Sequence, residues 1–136
     1  MGRIPDEAAP CGVFCGACPS YGKSCLGCGS DLKQRRRGKF RCKIRNCCFE
    51  DKNLDFCIEC TEFPCQLLEK KLKNSHPGEA RFKYRHEIYD NLERIKEIGV
   101  ENWVEEQRNR FKCPKCNGSV TWYVYKCKEC EFEYSP

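Results

Sequence analysis

Long apolar runs are missing from this chain of 136 residues. No stretch reaches the ~20 residues that a membrane-spanning helix needs. The opening "MGRIPDEAAPCG" has no apolar run that would serve as a secretory signal, and it lacks the Ser or Thr that a myristoylation signal carries at its sixth position. Export to an oxidising compartment is therefore not expected, and a reduced cytoplasmic setting is. Histidine is scarce too, with His76 in a loop "SHPG" and His86 in a predicted helix among charged neighbours. Histidine is the usual general acid or base near neutral pH. Neither residue stands in a motif for nucleophilic catalysis, so an enzyme is the less favoured class.

Cysteine is what the chain has in excess, at 15 of 136 positions. An odd number leaves one thiol over in any complete disulfide framework. In a reducing setting, thiols at close and repeated spacings are expected as metal ligands or redox groups rather than structural bridges. The chain is also 40% hydrophobic, with eight Phe, six Tyr and two Trp, which separates it from a metal-storage peptide and predicts a fold. With 33% of residues charged, the apolar inventory is marginal and a metal would act as a staple. Structural zinc supplies roughly 10–16 kcal/mol of apparent binding free energy, realised only on folding.

The cysteines divide the chain into three segments. Residues 1–65 hold eleven, residues 66–111 hold none, and residues 112–136 hold four. The middle segment is helical by pattern. A first helix is predicted from "EFPCQLLEKKLKN", with Pro64 suited to the first turn and Phe63, Leu67, Leu68 and Leu72 on one side. A second is predicted from about Glu79 to Ile98, with Tyr84, Ile88, Leu92 and Ile95 facing inward and Gly99 as the cap. A third is predicted from about Glu101 to Arg110, its stripe made by Val100, Trp103, Gln107 and Phe111. Glu87, Glu93 and Glu97 are expected on solvated faces. The predicted class is a small metal-stabilised α+β protein: an irregular cysteine-rich N-terminal metal domain, two to three helices and a C-terminal zinc ribbon.

The ribbon is the most specific signal. Cys113-x2-Cys116-x10-Cys127-x2-Cys130 offers two knuckles of two thiolates each, and four soft sulfur ligands in a closed tetrahedron suit Zn²⁺. Between the knuckles, Gly118 provides a turn and Thr121 to Tyr125 has the β-branched and aromatic composition of a short strand. A pair of redox CxxC motifs would need a βαβ context that this segment is too short to supply.

The N-terminal cysteines leave alternatives open. Cys11-x3-Cys15-x2-Cys18 has the spacing of the cluster loop of radical S-adenosylmethionine enzymes, but another pair, Cys25-x2-Cys28, follows where those enzymes would build a large barrel. Cys42-x4-Cys47, Cys48, Cys57-x2-Cys60 and Cys65 continue the series. Eight of these thiols make two Cys₄ sites. Consecutive pairing would use Cys15, Cys18, Cys25 and Cys28 in one and Cys42, Cys47, Cys57 and Cys60 in the other, whereas a cross-braced arrangement would interleave them. Gly16 and Gly27 fit knuckles whose backbone N–H groups turn towards sulfur. Prolines beside Cys18 and Cys65 also occur in ferredoxin-type ligand runs, so an iron–sulfur cluster is the alternative to zinc here.

"CGVFCGACPSY", "CLGC", "CKIRNC", "FCIECTEFPC" and "NLERIKEIGVENW" together resemble an uncharacterised cysteine-rich family of bacteria and archaea, a domain of unknown function. The resemblance implies a small cytoplasmic protein presumed to bind metal, sometimes with a C-terminal ribbon, and implies no activity. It singles out ten cysteines: Cys11, Cys15, Cys18, Cys25, Cys28, Cys42, Cys47, Cys57, Cys60 and Cys65. Cys48 lies outside that pattern and is expected to be a free thiol or a filler of a small core site.

Charge bears on partners. "KQRRRGKFRCKIR", residues 33–45, carries eight Lys or Arg and no acid, a run able to neutralise phosphates. Each zinc with four thiolates carries a formal −2, so three such sites would take the net charge of +5 to −1. Any nucleic-acid binding through Arg35, Arg36 and Arg37 is therefore expected to be weak and non-specific, and a protein partner is the other expectation.

Overall fold

The computed structural model describes residues 4–18, 21, 27, 29, 43–63, 65–122 and 125–133. Cys25, Cys28, Cys42, Arg35, Arg36, Arg37 and Pro64, with Tyr123 and Val124 of the predicted strand, lie outside the described residues. Among the described residues, five short α-helices, several 3₁₀ and π turns and a two-stranded sheet make up the regular structure. Helix α1 (Lys43–Asn46) runs on into a wider π turn, Cys47–Asp51, and α2 (Gln66–Leu68) likewise continues through Glu69–Lys73. Then come α3 (Lys83–His86), α4 (Ile88–Ile98) and α5 (Val100–Arg110). Strands β1 (Val120–Thr121) and β2 (Lys126–Cys127) pair antiparallel, Val120 opposite Cys127. Among the described residues no helix is long and apolar enough to cross a membrane.

Most of the predicted inward positions of the middle segment are buried, while Phe63, Leu67, Leu72 and Val100 are half-buried against the core. Ile88, Leu92 and Trp103 are fully enclosed, with Tyr84, Ile95 and Phe111 nearly so. Burial of each such side chain contributes about 1.5–3 kcal/mol. Gly99 ends α4 and begins α5 at φ +88, its N–H donating to Ile95 O at 2.8 Å. That left-handed conformation suits glycine and turns the two helices onto one another.

Three expectations need correction. The helix predicted from Glu79 to Ile98 is not continuous: Ala80–Phe82 forms a 3₁₀ turn and the chain breaks at Glu87 between α3 and α4. Glu87 has left the outer face expected of it. Its carboxylate accepts N–H groups of Arg110 at 2.6 and 2.9 Å, half-buried between helices. The strand predicted from Thr121 to Tyr125 stops at Thr121, and Tyr125 sits at φ +49 in the turn. Here tertiary contact overrides strand propensity. The backbone N–H of Trp122 donates to Ala17 O at 3.1 Å and its indole N–H to Phe14 O at 2.9 Å.

These bonds tie the C-terminal hairpin to the N-terminal loop, and aromatic rings fill the space between. Phe14 packs edge-on to Trp103 and stacks on Phe111, both at 5.8 Å, while Trp122 stacks on Tyr84 at 4.0 Å. Asn91 of α4 donates to Gly12 O at 2.9 Å, fastening the same loop to the helices. The buried residues of N-terminal loop, helices and hairpin form one core cluster.

Candidate metal centre

The hairpin brings Cys113, Cys116, Cys127 and Cys130 together, with all four sulfurs within 4.8 Å of one another. Cys113 Sγ lies 3.6 Å from Cys130 Sγ, and Cys116 Sγ 3.5 Å from Cys127 Sγ. Sulfurs bonded tetrahedrally to zinc at about 2.3 Å stand about 3.8 Å apart. This quartet can hold a metal ion. Among the described residues no other set of three or more His, Cys, Asp or Glu ligand atoms is gathered as tightly.

Why the chain folds this way is local. Each knuckle turns so that an amide two residues on donates to its first sulfur: Lys115 N to Cys113 Sγ at 3.4 Å, and Glu129 N to Cys127 Sγ at 3.3 Å. Such N–H···S bonds favour thiolate over thiol. Amide donors, Cys130 first and then Glu129, bring the Cys127 thiol down to about 7 against the opposing effect of burial. At Cys116 the Gly118 amide pulls the same way, but the crowded thiols of Cys127, Cys130 and Cys113 outweigh it and hold the group up at about 12. Four thiols that cannot all ionise in one small space leave that charge for a cation to neutralise. Gly118 is required by space: a Cβ there would lie 2.9 Å from Cys127 Sγ and 3.1 Å from Cys116 Sγ.

The N-terminal thiols are distributed differently. Cys47, Cys48, Cys57, Cys60 and Cys65 line one small cavity, and the half-buried Cys57 also lies near Cys11. A hydrogen bond with Cys48, together with burial, pushes the Cys57 thiol far up, and burial raises Cys47 despite nearby Lys52. The Cys48 thiol donates to Leu54 O at 3.3 Å and is buried. Cys15 opens a separate 3₁₀ turn, Cys15–Ala17, and Cys18 follows it, with Cys15 close to Tyr21. Gly16, expected to turn its amide towards sulfur, instead donates to Glu7 O at 3.3 Å. Of the basic run, the described Arg45 is buried with its guanidinium 4.9 Å from the Phe49 ring, so it is part of the interior.

One feature went unnoticed in the sequence. "FCGACPSY" and "FCIECTEF" are the same unit, Phe-Cys-x2-Cys-x2-aromatic, 42 residues apart, and both fold alike. A 3₁₀ turn spans Cys15–Ala17 in one and Cys57–Glu59 in the other, closed by Cys18 N to Cys15 O at 2.9 Å and Cys60 N to Cys57 O at 3.1 Å. The aromatic amide then returns to the second cysteine, Tyr21 N to Cys18 O at 3.0 Å and Phe63 N to Cys60 O at 3.1 Å. Comparing cysteine contexts rather than cysteine spacings would have found it.

Residues 7–70 match a family described as "Protein of unknown function (DUF3795)". The cysteine-rich resemblance thus holds for that part of the chain, and it brings no activity with it. No curated protein and no solved structure matches the chain.

Proposed function

We propose that this is a zinc-stabilised interaction module, its ribbon metal structural rather than catalytic, its partner another protein. The observation that carries the reading is the ribbon quartet. Its four thiols fill a tetrahedral shell, leaving none of the open positions at which a catalytic zinc binds water or substrate. The two histidines have other partners: the His86 ring N–H donates to Ser75 O at 2.6 Å, and His76 stacks on Phe82 at 3.9 Å beside Glu79. A protein partner is favoured over nucleic acid because thiolate centres offset the positive charge and Arg45 is interior.

The test is anaerobic purification followed by metal analysis and a visible spectrum. A colourless protein with at least one zinc per chain, lost together with Cys113 and Cys116, is expected. A brown protein with iron and acid-labile sulfide would put the iron–sulfur alternative in its place. A salt titration of RNA and duplex DNA binding completes the test. Non-specific affinity no tighter than about 10⁻⁴–10⁻⁶ M at physiological salt is expected, whereas sequence-selective nanomolar binding would move the protein to the nucleic-acid recognition class.

A further inference from the structure

We infer that Cys47, Cys57, Cys60 and Cys65 form a second metal site, for a single thiophilic ion such as zinc, independent of the ribbon's. These thiols come from three elements: the π turn after α1, the 3₁₀ knuckle Cys57–Glu59 with the residue after it, and the residue that precedes α2. They converge on a cavity of about 30 Å³ walled by Leu54 and Phe63. That is room for one ion or one water, not for a core of several irons and sulfides. A cavity faced by sulfur and apolar side chains gives a water few of the hydrogen bonds it needs, whereas a thiophilic cation finds its preferred ligands there.

Cys60 carries the same signature as the ribbon ligands. The amide two residues on, Glu62 N, donates to Cys60 Sγ at 3.4 Å, as Lys115 and Glu129 do to Cys113 and Cys127. Lys52 lies beside Cys47 and Cys60, held by Glu62 at 2.6 Å, and places a positive charge at the edge of a centre that four thiolates and a divalent ion would make net negative. Cys48 faces the same cavity but has its S–H turned to Leu54 O, so it supports the Cys57 side rather than the ion. In this assignment Cys65 takes the position that consecutive pairing gives to Cys42.

The experiment counts zinc in the full-length chain. Cys65→Ser is expected to hold one zinc fewer than the parent, Cys48→Ala the same number, and Cys65→Ser combined with Cys113→Ser and Cys116→Ser two fewer. Should Cys65→Ser fail to fold, Cys65→His keeps a ligand. After cobalt substitution its thiolate-to-metal absorption should weaken and its d–d bands move to higher energy. Full zinc content in Cys65→Ser, loss of an ion in Cys48→Ala, or a cobalt spectrum unchanged by Cys65→His would each overturn the site. So would acid-labile sulfide lost together with Cys65.

Discussion

The two thiol groups of this protein are built on different principles. In the ribbon, two arms of one hairpin bring Cys113 within 3.6 Å of Cys130, seventeen residues away, and the turn amides point at sulfur without help from the rest of the chain. In the N-terminal group, Cys47, Cys65 and the Cys57–Cys60 knuckle come from three separate elements, and their placement depends on neighbours. The Cys57 amide is held by Pro10 O at 2.9 Å and the Cys57 side chain lies against Cys11 and Cys48. The ribbon's sulfurs are accordingly tight, while the other group surrounds a cavity. A site made from local turns can be nearly complete before metal arrives. A site made from tertiary contacts must be paid for by the packing around it, and metal binding there is coupled to folding.

The widest separation of the two groups should come from removing the ribbon's ligands. On the zinc reading proposed above, Cys113→Ser with Cys116→Ser forfeits a large part of the roughly 10–16 kcal/mol that structural zinc supplies. Because Trp122 and Tyr125 of the hairpin belong to the common core, thermal melts should show the whole chain losing stability, even though the N-terminal metal content is unchanged at low temperature. Complete loss of bound metal in this variant would show that the two groups form one cooperative unit.

Trp122 is the next handle, because it joins the hairpin to both the N-terminal loop and α3. Trp122→Ala removes the stack on Tyr84 and the indole donor from which Phe14 O accepts, at about 3–5 kcal/mol. Trp122→Phe retains a ring and loses only the bond to Phe14 O, at about 0.5–1.5 kcal/mol. Denaturant unfolding of the metal-loaded protein measures both. Equal costs for the two substitutions would mean that the indole bond, not the packing, fastens the ribbon.

This contrast also explains what was legible in the sequence. The gathering of the four ribbon cysteines could be read because two CxxC pairs at hairpin distance leave one local solution, and α4 and α5 because Ile88, Leu92, Ile95 and Trp103 repeat at helical intervals. Glu87 and Arg45 could not be placed. An acid or a base on a helix looks solvated until the fold supplies Arg110 for one and Phe49 for the other. The grouping of the N-terminal thiols was equally hidden, since spacing along the chain does not say that Cys57 and Cys65 would face one cavity with Cys47.

Gly118 sharpens the comparison at a smaller scale. A methyl group there would stand 2.9 Å from Cys127 Sγ and 2.7 Å from Glu129 Cγ, so Gly118→Ala must push a ligand aside. Competition with a chelator should show zinc affinity at the ribbon lowered by about 10–100-fold, the range typical of altered surroundings of a metal ligand, with the N-terminal site unaffected. Unaltered affinity would indicate that the hairpin relaxes freely and is not the rigid half of the pair.

The smallest effect lies on the N-terminal side, at Tyr89, which packs on Phe63 at 5.2 Å near Cys65. Burial first, then the Glu69 carboxylate and Cys65, push its phenol up to about 12, against about 10 for a free phenol. Between those values the folded protein keeps a proton that the unfolded chain has released. The stability contributed by this group is therefore complete below about pH 10 and lost as pH rises through about 12. An alkaline titration followed at the phenolate absorbance should show a late step that Tyr89→Phe abolishes. Cys65→Ser removes a negative neighbour and should move the step downward. A step that ignores Cys65 would separate that cysteine from the aromatic wall and weaken the picture of an N-terminal group held together by its packing.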